Sequence, residues 1–331
     1  MSIEAIAWAV PGCRQTAADI ADQTGLDEEF IVNKVGIRTR YILNPDETGV
    51  ELAMSACTKL MTQSGITADL IDVLVFVTQT PDHAIPHNSA LLSARLGLPS
   101  RCACFDIGLG CSGYVYALSI VEGFLSINGL TNAILVTCDP YSRIMAAGDK
   151  ATNAVFGDAA TATWIKRDGA RTALGKADFG TDGSQASAIM VEAGRARWPM
   201  VSLHHDELQS YDRDQLRLRM AGRDVFNFVL SRVPESISAC LVKNGLKLSD
   251  IDYFALHQGS LHMLKAAAQR LGIEDQKLLV NIGEFGNTVS STVPMLLSSL
   301  MDRADLKGTK ILVCGFGVGL SWATNVITFS H

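Results

Sequence analysis

The second half of this chain of 331 residues repeats the first. Ser64-Gly65-Ile66-Thr67-Ala68-Asp69-Leu70-Ile71-Asp72-Val73-Leu74 has a counterpart in Asn244-Gly245-Leu246-Lys247-Leu248-Ser249-Asp250-Ile251-Asp252-Tyr253-Phe254. Asp106-Ile107-Gly108-Leu109-Gly110-Cys111 aligns with Ile282-Gly283-Glu284-Phe285-Gly286-Asn287, and Ile134 to Thr137 with Ile311 to Cys314. The strand expected after Gly157-Asp158 matches the strand expected after Gly317. Self-similarity over so long a period means a duplicated α/β unit and not a solenoid of small repeats. Two halves, 1–171 and 172–331, therefore pack about a pseudo-twofold axis, and equivalent turns carry Cys111 and Asn287 to matching positions on either side of it.

Local patterns fill in the unit. Strands are expected over Ile3–Val10 and Ile71–Thr78, and helices over Thr16–Thr24, Thr48–Ser64 and His87–Leu96, the second on the helical spacing of Val50, Ala53, Met54, Cys57, Leu60 and Met61. Phe105 to Tyr114 reads as a short strand, a glycine turn and a helix whose first turn carries Cys111. Unpaired N–H groups and a partial positive charge at such a terminus favour a thiolate and lower its pKa. Gly110 and Gly113 clear side chains from the sulfur. A small buried residue filling a strand-to-helix corner is the alternative reading. His257 ends the strand Tyr253–Leu256, at the sheet edge where open α/β folds place their ligand sites. Beside a poised cysteine and an asparagine it reads as a base or hydrogen-bond donor, against the alternative of a structural histidine.

A formal charge of −6 argues against a general nucleic-acid binder. Apolar runs such as Ile134–Thr137 and Ile311–Cys314 are too short to span a bilayer, and the start Met1-Ser2-Ile3-Glu4 lacks the basic end of a signal peptide. A soluble, cytoplasmic protein without nucleic-acid or membrane partners is expected. Its eight cysteines are spread over a long chain and read as reduced. Cys102 and Cys104 share one strand face, which is not a zinc spacing, and the adjacent side chains of His204-His205-Asp206 diverge, so no metal site is expected. Met220, Met263 and Met295 read as core filler. The charged segment Ser184–Leu218, with Trp198, has no counterpart in the first half and is either a cap over a pocket or a solvated excursion.

Read together, Phe30-Ile31-Val32 to Arg40, Gly110-Cys111-Ser112-Gly113, Phe156-Gly157-Asp158, Met220-Ala221-Gly222 with Val225-Phe226, His257-Gln258, Gly286-Asn287-Thr288, and Gly315-Phe316-Gly317-Val318-Gly319 with Trp322 resemble the thiolase superfamily, in its β-ketoacyl-acyl carrier protein synthase III branch. The resemblance covers nearly the whole chain. It implies a thiolase fold, two duplicated α/β halves in five αβαβα layers, and a catalytic set of Cys111, His257 and Asn287. By that resemblance Cys111 takes an acyl group from an acyl-CoA or acyl-carrier-protein thioester, with the backbone N–H groups of Cys111 and Val318 as the oxyanion hole. His257 and Asn287 then stabilise the enolate formed when a malonyl-acyl carrier protein loses carbon dioxide, and the carbanion attacks the acyl-cysteine. Fatty acid synthesis is the implied setting, with no cofactor, because the cleaved carboxylate supplies the driving force.

Departures from the family pattern bear on substrate. Phe30 and Lys34 stand where relatives carry a tryptophan and an arginine that grip coenzyme A, and Lys150 replaces another arginine. Arg223 replaces an asparagine, His262 an arginine, and Val318 a glycine. Phe226 and Phe316 complete the implied substrate-binding set. Lysine lacks the planar fork that pairs bidentately with phosphate. Ile85 replaces a frequent phenylalanine in the loop that, in relatives, reaches the partner's acyl pocket across a homodimer interface, so acyl chains longer than acetyl are expected to fit. Lys34, Arg38, Lys150 and Arg223 would give the mouth a basic rim for an acidic carrier, while Lys265 and Arg270 fit ordinary surface equally well. Two other functions stay open: transfer of the acyl group to an oxygen, nitrogen or other carbon nucleophile in a specialised pathway, and cysteine hydrolysis.

Overall fold

Local signals set where the helices begin. Thr16 and Thr48 each close a capping box, with Asp19 and Glu51, to open α1 (Ala17–Thr24) and α2 (Gly49–Ser64). Further along lie α3 (Asn88–Arg95), α4 (Gly113–Asn128), α5 (Gly222–Lys243), α6 (Leu261–Leu271) and α7 (Thr292–Met301). These come from a computed structural model, which describes residues 1–196, 213–301, 303 and 305–330. Trp198 and the His204-His205-Asp206 run lie outside the described residues.

The strands are β1 (Ser2–Ala9), β2 (Cys13–Thr16), β3 (Thr39–Ile42), β4 (Val73–Val77), β5 (Ala103–Ile107), β6 (Asn132–Cys138) and β7 (Ala160–Lys166), followed by β8 (Thr172–Leu174), β9 (Asp178–Thr181), β10 (Ile189–Met190), β11 (Arg219–Met220), β12 (Tyr253–Leu256), β13 (Lys310–Gly317) and β14 (Ser321–Phe329). One sheet runs β1-β7-β6-β4-β5 and a second runs β12-β13-β14-β8, with β9 also on β14. In both, a parallel pair (β4 with β6, β12 with β13) is followed by an antiparallel one (β6 with β7, β13 with β14). The repeated Ser64–Leu74 and Asn244–Phe254 stretches each hold a 3-10 turn, Ala68–Leu70 and Leu248–Asp250, just before β4 and β12. The duplication read from the sequence is thus a duplication of topology.

Successive side chains on a strand point to opposite faces, and that alternation sorts the core into layers. Leu74, Phe76, Ile134 and Val136 face outward onto α2 and α3. Their neighbours Val73, Val75, Val77, Ala133 and Leu135 face inward onto α4 and α7, which also pack on Ala255, Ile311, Val313 and Ala323 of the second sheet. The outer residues of that sheet, Phe254, Leu256, Leu312 and Cys314, lie under α5 and α6. The result is helix, sheet, helix, sheet, helix: the five-layer thiolase arrangement, with α4 and α7 side by side in the middle. Both central helices are sandwiched between the sheets, and α4 contacts the turn Val289–Ser291 that leads into α7.

Three expectations need correction. Ile282–Phe285 is a helical turn and not the strand end that Asp106–Ile107 is, and the counterpart of β5 shrinks to one parallel bridge between Leu278 and Phe254. Cys111 lies just before the helix cap, Ser112, and not in the first turn of α4. The expectation that no segment is long and apolar enough to span a bilayer overlooks α5, which is both by length and composition. Val225, Val229, Val233 and Ile237 on α5 are buried in the outermost core against the second sheet, so its apolar face is already covered by protein.

Candidate active site

Cys111 is held from below by glycines of β13. A side chain at Gly317 would place its Cβ 2.9 Å from Cys111 Sγ, and one at Gly315 would come within 2.4 Å of the Cys111 carbonyl oxygen. The strand needs glycine here so that the other half's backbone can approach the sulfur. The Ser112 and Ser321 hydroxyls lock the same contact at 2.7 Å. Backbone N–H groups of Cys111 and Val318 point at the sulfur and draw its pKa down, but burial outweighs them and pushes the thiol well above its usual range, with the nearby Asp139 adding to the rise. The lowered thiol pKa expected from the helix terminus is therefore not found. Desolvation disfavours the charged form more than two N–H dipoles favour it.

His257 follows β12 and donates its backbone N–H to Cys314 at 2.8 Å. Its ring stands edge-on to Phe316, with centroids 5.4 Å apart, and burial drives its pKa down to about 3, so it is a neutral imidazole. Ring nitrogen Nδ1 is buried with no hydrogen-bond partner among the described residues. Asn287 is pinned by its backbone, donating to Val155 O at 2.9 Å and accepting from Gly157 at 3.0 Å. Its Oδ1 accepts the Val289 N–H at 2.9 Å, which leaves the amide N–H groups as the donating end. Val289 takes φ 53°, a left-handed conformation that costs a β-branched residue about 1–3 kcal/mol and collects at functional sites.

Cys111, His257 and Asn287 open onto one cavity of about 380 Å³. Its lining is mostly apolar, with Tyr141, Phe156, Ile189, Met220, Val225 and Val229, and it also includes Phe226, Met263 and the exposed Arg223 and His262. Phe226 and His262 stack with rings 5.5 Å apart and 6° from parallel. Phe316 and Val318 line it as well. Phe156 is fixed from behind by Arg40, a buried guanidinium that donates to Phe156 O and Asn153 Oδ1, both at 2.9 Å, and whose pKa burial lowers to about 10. Four of the residues read as substrate-binding stand apart from the cavity wall. Lys34 is exposed on the turn Ile31–Val35, which packs against α6, Phe30 directly before that turn is 48% exposed, and Lys150 is also exposed. Ile85 is 87% exposed among the described residues.

The sequence profile of 3-oxoacyl-[acyl-carrier-protein (ACP)] synthase III matches residues 105–183, and the profile of its C-terminal part matches residues 241–329. Similarity extends past both. The β-ketoacyl-[acyl-carrier-protein] synthase III of Lactococcus lactis subsp. cremoris is 31% identical over 312 residues, covering 93% of each chain. This chain belongs to the synthase III family. A crystal structure of a 3-oxoacyl-(acyl-carrier-protein) synthase III superposes with a TM-score of 0.91 at 35% identity over 99% of both chains. The 3-oxoacyl-(acyl-carrier protein) synthase of Burkholderia xenovorans superposes at 0.89 and 30% identity, covering 99% of this chain and 93% of its own.

Against that synthase III background, some residues of the site escaped the sequence reading. Met220 and Met263, read as core filler, line the cavity, while Met295 is buried in α7. Tyr141 walls the cavity with its ring 4.9 Å from Phe156 and its hydroxyl donating to Gln79 Oε1 at 2.7 Å. Asp139 lies buried behind Cys111. A signal for it existed: it is a lone carboxylate directly after the apolar run Ile134–Cys138. All eight cysteines are unpaired, and the Cys102 and Cys104 sulfurs lie 4.0 Å apart on one face of the edge of the first sheet.

Proposed function

We propose that this synthase III loads an acyl group from an acyl-CoA or acyl-carrier-protein thioester onto Cys111 and condenses it with malonyl-acyl carrier protein, releasing carbon dioxide and a β-ketoacyl thioester. The observation that carries the reading is the meeting of a sulfur, two backbone N–H groups aimed at it, a neutral imidazole and an oriented amide in one apolar cavity. In the first stage the thioester carbonyl enters between the N–H groups of Cys111 and Val318. Those groups gain strength as the oxygen becomes an oxyanion, and the departing thiolate takes the proton that the thiol releases. With the thiol pKa raised and the imidazole pKa lowered, both stay neutral until substrate arrives. In the second stage the imidazole and the Asn287 amide donate to the malonyl thioester oxygen. The bond to the carboxylate breaks, carbon dioxide leaves, and the enolate carbon attacks the acyl-cysteine carbonyl, returning the thiolate.

The apolar lining suits an acyl chain longer than acetyl. The exposed Ile85 fits the proposed homodimer, in which it would close the end of the partner's acyl pocket. A cytoplasmic setting goes with the proposed substrates. Incubation with a panel of acyl thioesters followed by intact-mass spectrometry would show the acyl group on Cys111, and release of labelled carbon dioxide from malonyl-carrier protein would show the second stage. Acylation without carbon dioxide release would leave an acyltransferase of a different kind. Sedimentation showing monomer alone at micromolar concentration would remove the dimer.

A further inference from the structure

Asp139 is a buried carboxylate that the two stages above do not use. It follows β6 directly and is 1% exposed. Oδ1 accepts the Gln79 N–H at 2.6 Å and, more weakly, the Thr78 hydroxyl at 3.4 Å, both just past the end of the neighbouring strand β4. Oδ2 accepts the Ser290 hydroxyl, which comes from the other half of the molecule. No ion pair forms at Asp139 among the described residues, and the titratable groups that feel its charge are Cys111, Cys138 and Tyr141, none of them cationic. A carboxylate buried without a counter-ion is costly, and it raises the pKa of the very thiol that must react. Packing alone gives no reason to keep it.

The reason lies in what Ser290 is part of. It is the middle of the turn Val289–Ser291, directly after the left-handed Val289 whose N–H holds Asn287 Oδ1. Ser291 fastens the same turn to Thr137 Oγ1 at 2.8 Å and to Ala159 O at 3.0 Å. Two consecutive serines thus tie a strained segment of the second half to the strand ends of the first. Strain of this kind persists only where surrounding contacts over-determine it. A carboxylate suits the Ser290 anchor because it is acceptor-only on both oxygens. An amide in its place would turn N–H groups toward either the Gln79 N–H or the Ser290 hydroxyl.

We propose that Asp139 is a positioning residue for Asn287, holding the 287–291 turn through Ser290 so that the amide faces the cavity beside Cys111 and His257. The inference rests on the reading of Asn287 as a donor to the malonyl-derived enolate. Asp139 touches no reacting atom, so its removal should separate the two stages. In Asp139→Asn, acylation of Cys111, followed by intact mass, stays within about threefold of the parent or quickens, since a negative charge near the sulfur is gone. Carbon dioxide release from malonyl-carrier protein by the pre-acylated enzyme falls about 10- to 100-fold, because the donor is misplaced.

Ser290→Ala removes one bond and keeps every buried charge, so it gives the test should Asp139→Asn fail to fold; it should show the same split, and Ser290→Thr should restore the second stage. Combining either change with Asn287→Ala should add no further loss, because both act through the same amide. Losses that multiply in the double variant, or that fall equally on both stages, would overturn the assignment of Asp139. If Asn287→Ala itself left carbon dioxide release at the parent rate, the role of Asn287 would fall first and Asp139 with it. A strong effect of Asn287→Ala with none from Ser290→Ala would remove the positioning claim alone.

Discussion

The turn that carries Cys111 and the turn that carries Asn287 descend from one duplicated unit, yet they solve different problems. The first is short, glycine-flanked and pressed against Gly315 and Gly317 of the opposite half, so that two backbone N–H groups reach the sulfur. The second is lengthened by the helical turn Ile282–Phe285, bent through Val289 at φ 53° and tied down by serines. A nucleophile needs close backbone, because its carbonyl target must sit within reach of fixed N–H groups. In the proposed roles, a donor for the second substrate needs distance, because an acyl group would already occupy the sulfur. Equivalent positions in a duplicated fold can therefore diverge in length and strain while the sheets around them stay alike.

The difference can be broken most severely at the nucleophile. Cys111→Ala should lower turnover by about 10⁴-fold or more and abolish the mass shift on acylation, with the fold retained. Residual acylation elsewhere on the chain would remove Cys111 from its place in the comparison. Next in size, His257→Ala and Asn287→Ala should each cost about 10²- to 10³-fold in condensation, the loss typical of one oxyanion donor, while Cys111 acylation changes far less. A variant that acylated poorly but condensed normally once acylated would reverse the division between the turns. Gly317→Ala should act on the first turn alone: a methyl 2.9 Å from the sulfur must displace it, and acylation should slow by about tenfold or more. Single-turnover acylation rates would decide it, with an unchanged rate showing that the close approach is unimportant.

Stability against pH sharpens the same contrast. His257 has a folded pKa of about 3 against an ordinary 6.5, so the folded state binds fewer protons in that window, and its contribution is present above pH 6.5 and lost as pH falls toward 3. Asp139, raised from 3.8 to about 6, has the opposite sign: its contribution is present below 3.8 and lost as pH rises through 6. His257→Gln should therefore flatten the acid side of a urea-unfolding profile, whereas Asp139→Asn should improve relative stability on raising the pH from 4 to 7. Parallel profiles for parent and variants would refute the charge states assigned to both residues. The smallest effect belongs to the rim. Arg223→Glu should raise the KM for malonyl-carrier protein about threefold at low salt and less at physiological salt, leaving acylation from a small uncharged thioester near normal. Equal losses with both substrates would show that Arg223 supports the pocket itself and not the docking of the carrier.

Much of the frame is legible in the order of the residues. The paired stretches around Gly65 and Gly245 and the helices opening near Thr16 and Thr48 depend on residues close together in the chain, and each appears in the fold where the pattern places it. The gathering of Cys111, His257, Asn287, Arg223, Phe226, His262, Phe316 and Val318 around one cavity is legible too. Phe30, Lys34, Ile85 and Lys150, named by motif matching, lie apart from that cavity, because a motif says what lies near in sequence and not which face of a turn looks inward.

What the sequence determined by itself was periodicity, turn chemistry and the duplication, all of which are local or self-referential. Only the tertiary structure decided the charge states and the aim of the site. The Cys111 thiol is raised and the His257 imidazole lowered because desolvation depends on everything packed around a group, not on its neighbours along the chain. Asp139 meets Ser290 across 151 residues of sequence, and the left-handed turn at Val289 is tolerated because contacts from the other half hold it there.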